Sequence, residues 1–260
     1  MVCERPPAAF GGSPPHGGGD ACEASEGVAH TPSRIGAGQH VKHMNDFITR
    51  LNRLDSCAVS DAMDKLGLRG VVTGIHQYST QRRIAGRVIT VKLGADDGRT
   101  TAAKHLSTTA IETANPGDVI VVEQRTGVDA AAWGGNLSLG AKVRGVAGVI
   151  CDGPARDIDE SRQHDFPVYA RDHTCTTARG RLIEMATNEP ITVGTIGVSA
   201  GDYVLADASA VVFISAPDIS RVIDTAEKIV VKERLMADAI RSGTPIGKVM
   251  GADYESMLKR

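Results

Sequence analysis

From Gly134 to Glu160 the chain reads GGNLSLGAKVRGVAGVICDGPARDIDE. A glycine pair is followed by enough residues for one short helix, then by the apolar run Val146–Cys151, then by Arg156-Asp157. The run Asp118–Glu123 before it is equally apolar. Strands of this kind, with a helix interposed, predict a βαβ-like unit whose strands lie parallel and are buried on both faces. Parallel strands share an edge at their carboxyl ends, where ligands usually bind. The glycine loop before the helix and the Asp152-Gly153 turn after the second strand are therefore expected to converge on one edge.

The remaining pattern extends this unit. Phe47, Leu51 and Leu54 have helical spacing. Val59, Met63 and Leu66 mark a second helix, with Ser56 as its N-cap and Gly67 or Gly70 near its end. Arg87–Val91 predicts a β-branched strand, 101–113 a helix, and Asn115-Pro116-Gly117 a turn. A helix from about 137 to 144 is expected to lead into the strand Val146–Cys151, and Pro167–Ala170 to form another strand. Hairpins are expected around Ile191–Ile196 and Tyr203–Leu205, then the strand Ala210–Ile214. A long helix from about Pro217 to Arg241 closes the pattern, with Gly243 as its cap. One α/β domain over 44–260 is expected, because no linker interrupts it. Residues 1–43 carry Pro6-Pro7, Gly11-Gly12, Pro14-Pro15 and Gly17-Gly18-Gly19 with few large apolar residues. Such a segment buries too little surface to offset its ordering entropy and is expected to be a disordered tail.

Composition narrows the function. Aromatic residues make up 3% of the chain, too few for base-stacking platforms, and the net charge of −2 comes with no Lys/Arg stripe. Nucleic acid is not an expected partner. Apolar runs are strand-length, far short of the ~20 residues of a membrane span, so no membrane is expected. Five cysteines at long spacings without a CxxC fit a reduced, cytoplasmic protein.

The chemistry sits in the opening stretch. N–H groups of Asn136 and Leu137 at a helix start suit a carboxylate, and glycines let a ligand approach the backbone. Arg156 offers a planar fork for a carboxylate or an enolate oxygen. Asp157 is a hard oxygen donor of the kind that holds Mg²⁺ with water, and Glu160, three residues on, can share its helical face and hold a metal-bound water. Together they suggest Lewis-acid activation of a 2-oxo acid.

WGGNLSLGAKVRGVAGVICDGPARDIDE resembles the RraA-like family, which includes the class II 4-hydroxy-4-methyl-2-oxoglutarate/4-carboxy-4-hydroxy-2-oxoadipate aldolases. The family pattern is Asp or Gly, twenty residues, Arg-Asp, two residues, then Glu or Asp; here it is Gly135, 136–155, Arg156-Asp157, Ile158-Asp159, Glu160. NPGDVIVVE at 115–123, FPVYAR at 166–171 and GDYVLADASAVVFI at 201–214 extend the resemblance over roughly 45–235. It implies a single α/β/β/α sandwich domain with mixed sheets and assembly as a trimer or hexamer. It also implies a divalent-metal-dependent lyase that forms pyruvate by retro-aldol cleavage or decarboxylates oxaloacetate. Asp157 would ligate Mg²⁺ or Mn²⁺, and Arg156 would bind the keto acid and stabilise the enolate. The amides of Asn136 and Leu137 would hold the pyruvate carboxylate, and Glu160 would support the metal through water. Glu233 is the candidate for an acidic residue reaching the metal water from a neighbouring subunit.

The best-described aldolases carry Asp at the position of Gly135, an Asp that can handle protons at the substrate. Its absence leaves metal and keto-acid binding in place while turning attention to decarboxylation. The family's namesake inhibits ribonuclease E by protein contact, so a non-catalytic regulator is the alternative from another class. A lyase or hydrolase of a different substrate on the same scaffold is the third. HTCTTARGRL at 173–182 reads as an ordinary surface loop, with tuning of substrate choice as the lesser alternative, and Lys104-His105 as residues on a helix, with a role near the site as the lesser alternative. Cys151 reads as core; Cys175 lies in a Thr-rich loop where a nucleophile would lack a placed His partner, and His40 and His43 could chelate a metal but fall in the expected tail.

Overall fold

The computed structural model describes residues 46–98 and 105–251. The expected tail 1–43, with His40 and His43, and also Lys104, lie outside the described residues. In chain order the elements are α1 (46–51), α2 (Ser56–Leu66), β1 (Val71–Val72), β2 (His76–Gln77), β3 (Ile84–Ala95), α3 (Thr108–Thr113), β4 (Val119–Glu123), α4 (Gly135–Arg144), β5 (Gly148–Ala155) and α5 (Ile158–Gln163). Then come β6 (Val168–His173), β7 (Leu182–Thr187), β8 (Ile191–Val193), β9 (Ile196–Val198), β10 (Tyr203–Ala206), β11 (Val211–Ile214), a 3₁₀ turn (Ala216–Asp218), α6 (Ile219–Arg241) and α7 (Ile246–Val249).

Nine of these strands form one sheet in the order β1-β11-β10-β3-β4-β5-β6-β2, with β7 also on β3. The centre, β3-β4-β5-β6, is parallel, and the strands added at both flanks are antiparallel. Residue alternation shows how the sheet curls. Val88, Val119, Val121, Ile150, Tyr169, Val204, Val211 and Phe213 form one inner cluster. Their neighbours Ile89, Ile120, Val122, Val149, Cys151, Val168 and Ala170 point the other way, into a cluster that takes in residues of α3 and α4. Tyr203, Leu205, Val212 and Ile214 join a third cluster with α2 and α6. The sheet thus closes on its own apolar face, and helices cover the two outer faces. That is the helix–sheet–sheet–helix layering the sequence implied, with mixed strand directions. Among the described residues no helix is long and apolar enough to cross a membrane.

Several boundaries differ from the sequence reading. Ser56 does not cap α2: Asp55 does, its side chain accepting from the Ala58 N–H, while Ser56 N–H and Oγ donate to Asp207. Both residues are good cap formers, and the tertiary bond to Asp207 decides between them. Gly67 closes the helix at φ 68°. β3 is twelve residues rather than five because its second half overhangs β4 and gains β7 as a further partner. Helix α3 starts at Thr108, and the 101–104 part of the expected helix lies outside the described residues. β5 does not stop at Cys151: it runs to Ala155, with a register shift against β6 between Cys151 and Pro154. The Asp152-Gly153 pair is therefore strand, and the turn that meets ligand space is Arg156-Asp157.

Candidate active site

Three connections leave the carboxyl edge of the parallel strands and meet. The one after β4 passes Ala131 to Trp133 and opens α4 at Gly135. The one after β5 is Arg156-Asp157. The one after β6 runs through Thr177 to Arg179. Backbone bonds stitch them: Ala132 N–H donates to Pro154 O (2.8 Å), Arg156 N–H to Trp133 O (2.9 Å), Thr174 N–H to Ala155 O (2.9 Å) and Ala131 N–H to Thr176 O (3.0 Å). Together they wall a cavity of about 430 Å³ that also reaches His105 and Leu106.

Helix α4 begins two residues earlier than its apolar spacing suggests, because Gly134, extended at φ −150°, is its N-cap and offers no side chain. The first N–H groups of a helix have no intrahelical acceptor. Gly135 N–H finds one in Asp157 Oδ2 at 3.0 Å, and Ser138 N–H closes the first turn onto Gly134 O at 3.0 Å. The N–H groups of Asn136 and Leu137 lie between them, on residues that line the cavity, and no acceptor among the described residues takes them.

Asp157 holds φ 54°, ψ 42°, a left-handed conformation that is uncommon for a residue with a side chain. It stands at the N-cap position of α5 but does not cap it; its carboxylate turns to Gly135 N–H and to Arg156 Nε at 3.1 and 3.2 Å. A buried hydroxyl chain fixes this turn from beneath. Trp133 Nε1 donates to Ser138 Oγ (2.9 Å), Ser138 Oγ pairs with Ser161 Oγ (2.8 Å), and Ser161 Oγ donates to Asp157 O (3.2 Å). Both serines are fully buried.

The glycine pair has a steric reason. A Cβ on Gly134 would lie 2.8 Å from Asp157 Oδ2 and 3.3 Å from Arg156 Cγ, and one on Gly135 would overlap the Glu160 carboxylate. Glu160 thus fills the space of a side chain at position 135. It is exposed and is not part of the cavity wall. Of the residues singled out in the sequence, Gly135, Asn136, Leu137, Arg156 and Asp157 line one cavity, and Glu160 packs beside it. Glu233 stands elsewhere, on α6 near Asp55 and Asp61; partial burial and then those two carboxylates raise its pKa above the usual glutamate range.

Two residues of the wall, His105 and Arg179, come from stretches read first as helix and surface loop, with a part in the site only as the lesser alternative. The signal available for Arg179 was a cation in a Thr- and Gly-bounded turn, TTARG, with Arg181 two residues on. Cys175 is exposed and outside the wall. Cys151 is buried, and burial pushes its thiol pKa far up, as suits a core residue. Among the described residues no group of three or more His, Cys, Asp or Glu gathers to hold a metal.

Fold and site together define an α/β protein with a cavity at the carboxyl edge of its parallel strands, lined by the first residues of α4, Arg156, Asp157 and Arg179. The family model described as RraA-like, Aldolase/RraA, matches residues 56–213, and the chain belongs to that family. It is 31% identical over 184 residues to a Halalkalibacterium halodurans protein named "Putative 4-hydroxy-4-methyl-2-oxoglutarate aldolase", covering 70% of this chain and 83% of the relative. An uncharacterized protein from Pseudomonas syringae pv. tomato superposes with a TM-score of 0.71 at 26% identity, over 80% of this chain and 98% of the other. Streptomyces coelicolor RraAS2, described as an unusual member of the RNase ES inhibitor RraA family, gives a TM-score of 0.66 at 23% identity, over 73% of this chain and 94% of its own, and shares the fold.

Proposed function

We propose that this chain is a carbon–carbon lyase that forms pyruvate from a 2-oxo acid, by decarboxylating oxaloacetate or by retro-aldol cleavage of a 4-hydroxy-4-methyl-2-oxoglutarate-type acid. The observation that carries the reading is the meeting of unclaimed helix amides, a guanidinium and a hard carboxylate at one cavity. The aldolase name of the Halalkalibacterium halodurans relative supports the carbon–carbon lyase class.

The residues divide the work. Asn136 and Leu137 N–H groups hold the carboxylate next to the keto group, helped by the positive end of α4. Arg156 faces the 2-oxo oxygen. When the C3–C4 bond breaks, its electron pair moves into C3 and onto that oxygen, and the guanidinium offsets the charge that appears there. Asp157 would hold Mg²⁺ or Mn²⁺, which accept one carboxylate completed by water and substrate oxygens. Such an ion, when bound, supplies Lewis acidity to the 2-oxo group. Glu160, and Glu233 from a neighbouring copy in a trimer or hexamer, are proposed to act on the water around it.

Gly135 separates the two reactions. Retro-aldol cleavage requires a base for the hydroxyl proton at C4, and position 135 has no side chain to supply one. Decarboxylation releases CO₂ and requires only a later proton at C3, so oxaloacetate suits this site with fewer groups.

Pyruvate release from oxaloacetate and from 4-hydroxy-4-methyl-2-oxoglutarate, in Mg²⁺ or Mn²⁺, tests the reading. Asp157→Ala is expected to lose activity by on the order of a hundredfold or more, the scale of losing a group that acts on developing charge. Excess EDTA is expected to do the same to the wild type. Full activity in either case contradicts the proposal.

A further inference from the structure

The cavity offers more room and more positive charge than the pyruvate half of a substrate uses. At about 430 Å³ it is in the range of sites for whole metabolites rather than three-carbon acids. It is lined by two arginines. Arg156 is engaged by the Asp157 carboxylate. Arg179 has no carboxylate partner among the described residues. Its turn is nonetheless held in place: Ala131 N–H donates to Thr176 O (3.0 Å), Arg179 N–H to Thr177 Oγ1 (3.3 Å), and both Arg181 and Leu182 N–H to Ala178 O (2.9 Å each). A cation on an anchored turn, at a cavity wall, with no counter-charge among the described residues, is placed to take its partner from the ligand.

We propose that Arg179 is a specificity-determining residue that binds a second, distal carboxylate of the substrate, so that the site selects 2-oxo dicarboxylic acids over monocarboxylic ones. The inference rests on the 2-oxo acid reading above and adds the group that reads the far end of the molecule. The planar guanidinium matches a carboxylate with two parallel donors. Because Arg179 breaks no ion pair with a described residue to bind, its interaction is not offset by the loss of such a pair. His105, on the same wall, gives its Nδ1–H to Leu106 O and can offer Nε2–H to the same anion only as the imidazolium.

Titration calorimetry in Mg²⁺ with two uncleaved probes tests this. The probes are 2-oxoglutarate and 2-oxopentanoate, the latter having a methyl in place of the distal carboxylate. The wild type is expected to bind 2-oxoglutarate about 10- to 100-fold more tightly, the range for a hydrogen bond between charged groups. Arg179→Gln should abolish that preference and leave 2-oxopentanoate affinity unchanged, and Arg179→Lys should restore part of it. Arg179 is exposed, so these variants are expected to fold. Equal losses for both probes in Arg179→Gln, or a preference that survives it, overturn the inference. Equal binding of both probes by wild type overturns the inference alone. No binding of either by wild type overturns it together with the 2-oxo acid reading. A preference lost in Arg179→Gln without pyruvate formation from any substrate upholds the inference and overturns the lyase reaction.

Discussion

Gly134 does its work by lacking a side chain, and that makes it the most informative single position to change. A methyl there meets Asp157 Oδ2 at 2.8 Å and Arg156 Cγ at 3.3 Å. Its extended backbone, φ −150°, suits alanine, so the chain should still fold. Gly134→Ala is expected to lower kcat/KM by roughly tenfold or more, as Asp157 and Arg156 are pushed from their places, with little change in Tm. Unchanged kinetics would mean that the pair can shift without consequence. At this scale the sequence was informative wherever residues are close along the chain. Gly135, Asn136 and Leu137 open one helix, Arg156-Asp157 follows the strand it leads to, and the βαβ path alone brings them together. Arg179 and His105 reach the same cavity from beyond β6 and from before α3. No local period encodes such meetings. Glu160 was expected beside Asp157 on one helix face; its packing onto Gly135 depends on a position 25 residues earlier and could not be read from spacing.

At the scale of elements, the hydroxyl chain of Ser138 and Ser161 ties α4 to α5 under the Asp157 turn. Ser138→Ala leaves the buried Trp133 Nε1 without its acceptor, a cost of about 2 kcal/mol. For a chain of this length the expected fall in Tm is roughly 4–8 °C. Ser161→Ala should cost less, because Ser138 Oγ keeps its bonds to Trp133 and Gly134, and Asp157 O keeps the Ser161 N–H. Equal losses in a thermal melt would contradict that ordering. Element type was legible where apolar runs were dense, as in β4, β5 and β11. β7 was not: LIEMAT carries Glu184 and Met185 amid weak alternation, and it is a strand because the overhang of β3 offers it an edge. The same overhang explains why β3 was read short. The first residue of α2 was misassigned because Asp207, about 150 residues on, takes the Ser56 hydroxyl.

At the scale of the molecule, the curled sheet puts its antiparallel strands and the α2–α6 pair on one side and its parallel strands with α3, α4 and α5 on the other. The candidate site belongs wholly to the parallel side, and Glu233 to the other, where it shares space with Asp55 and Asp61. Among the described residues the turn at Asp157 and the carboxylates of Asp55, Asp61 and Glu233 therefore lie apart, and neither place gathers three metal-ligating side chains. The central claim is that the first is the functional one. Crystals soaked with Mn²⁺ and oxalate, a planar mimic of the pyruvate enolate, decide this by anomalous scattering. The expected result is manganese at the Asp157 carboxylate with oxalate on the Asn136 and Leu137 N–H groups and the Arg156 guanidinium. Manganese only among Asp55, Asp61 and Glu233, with the cavity empty, would contradict it.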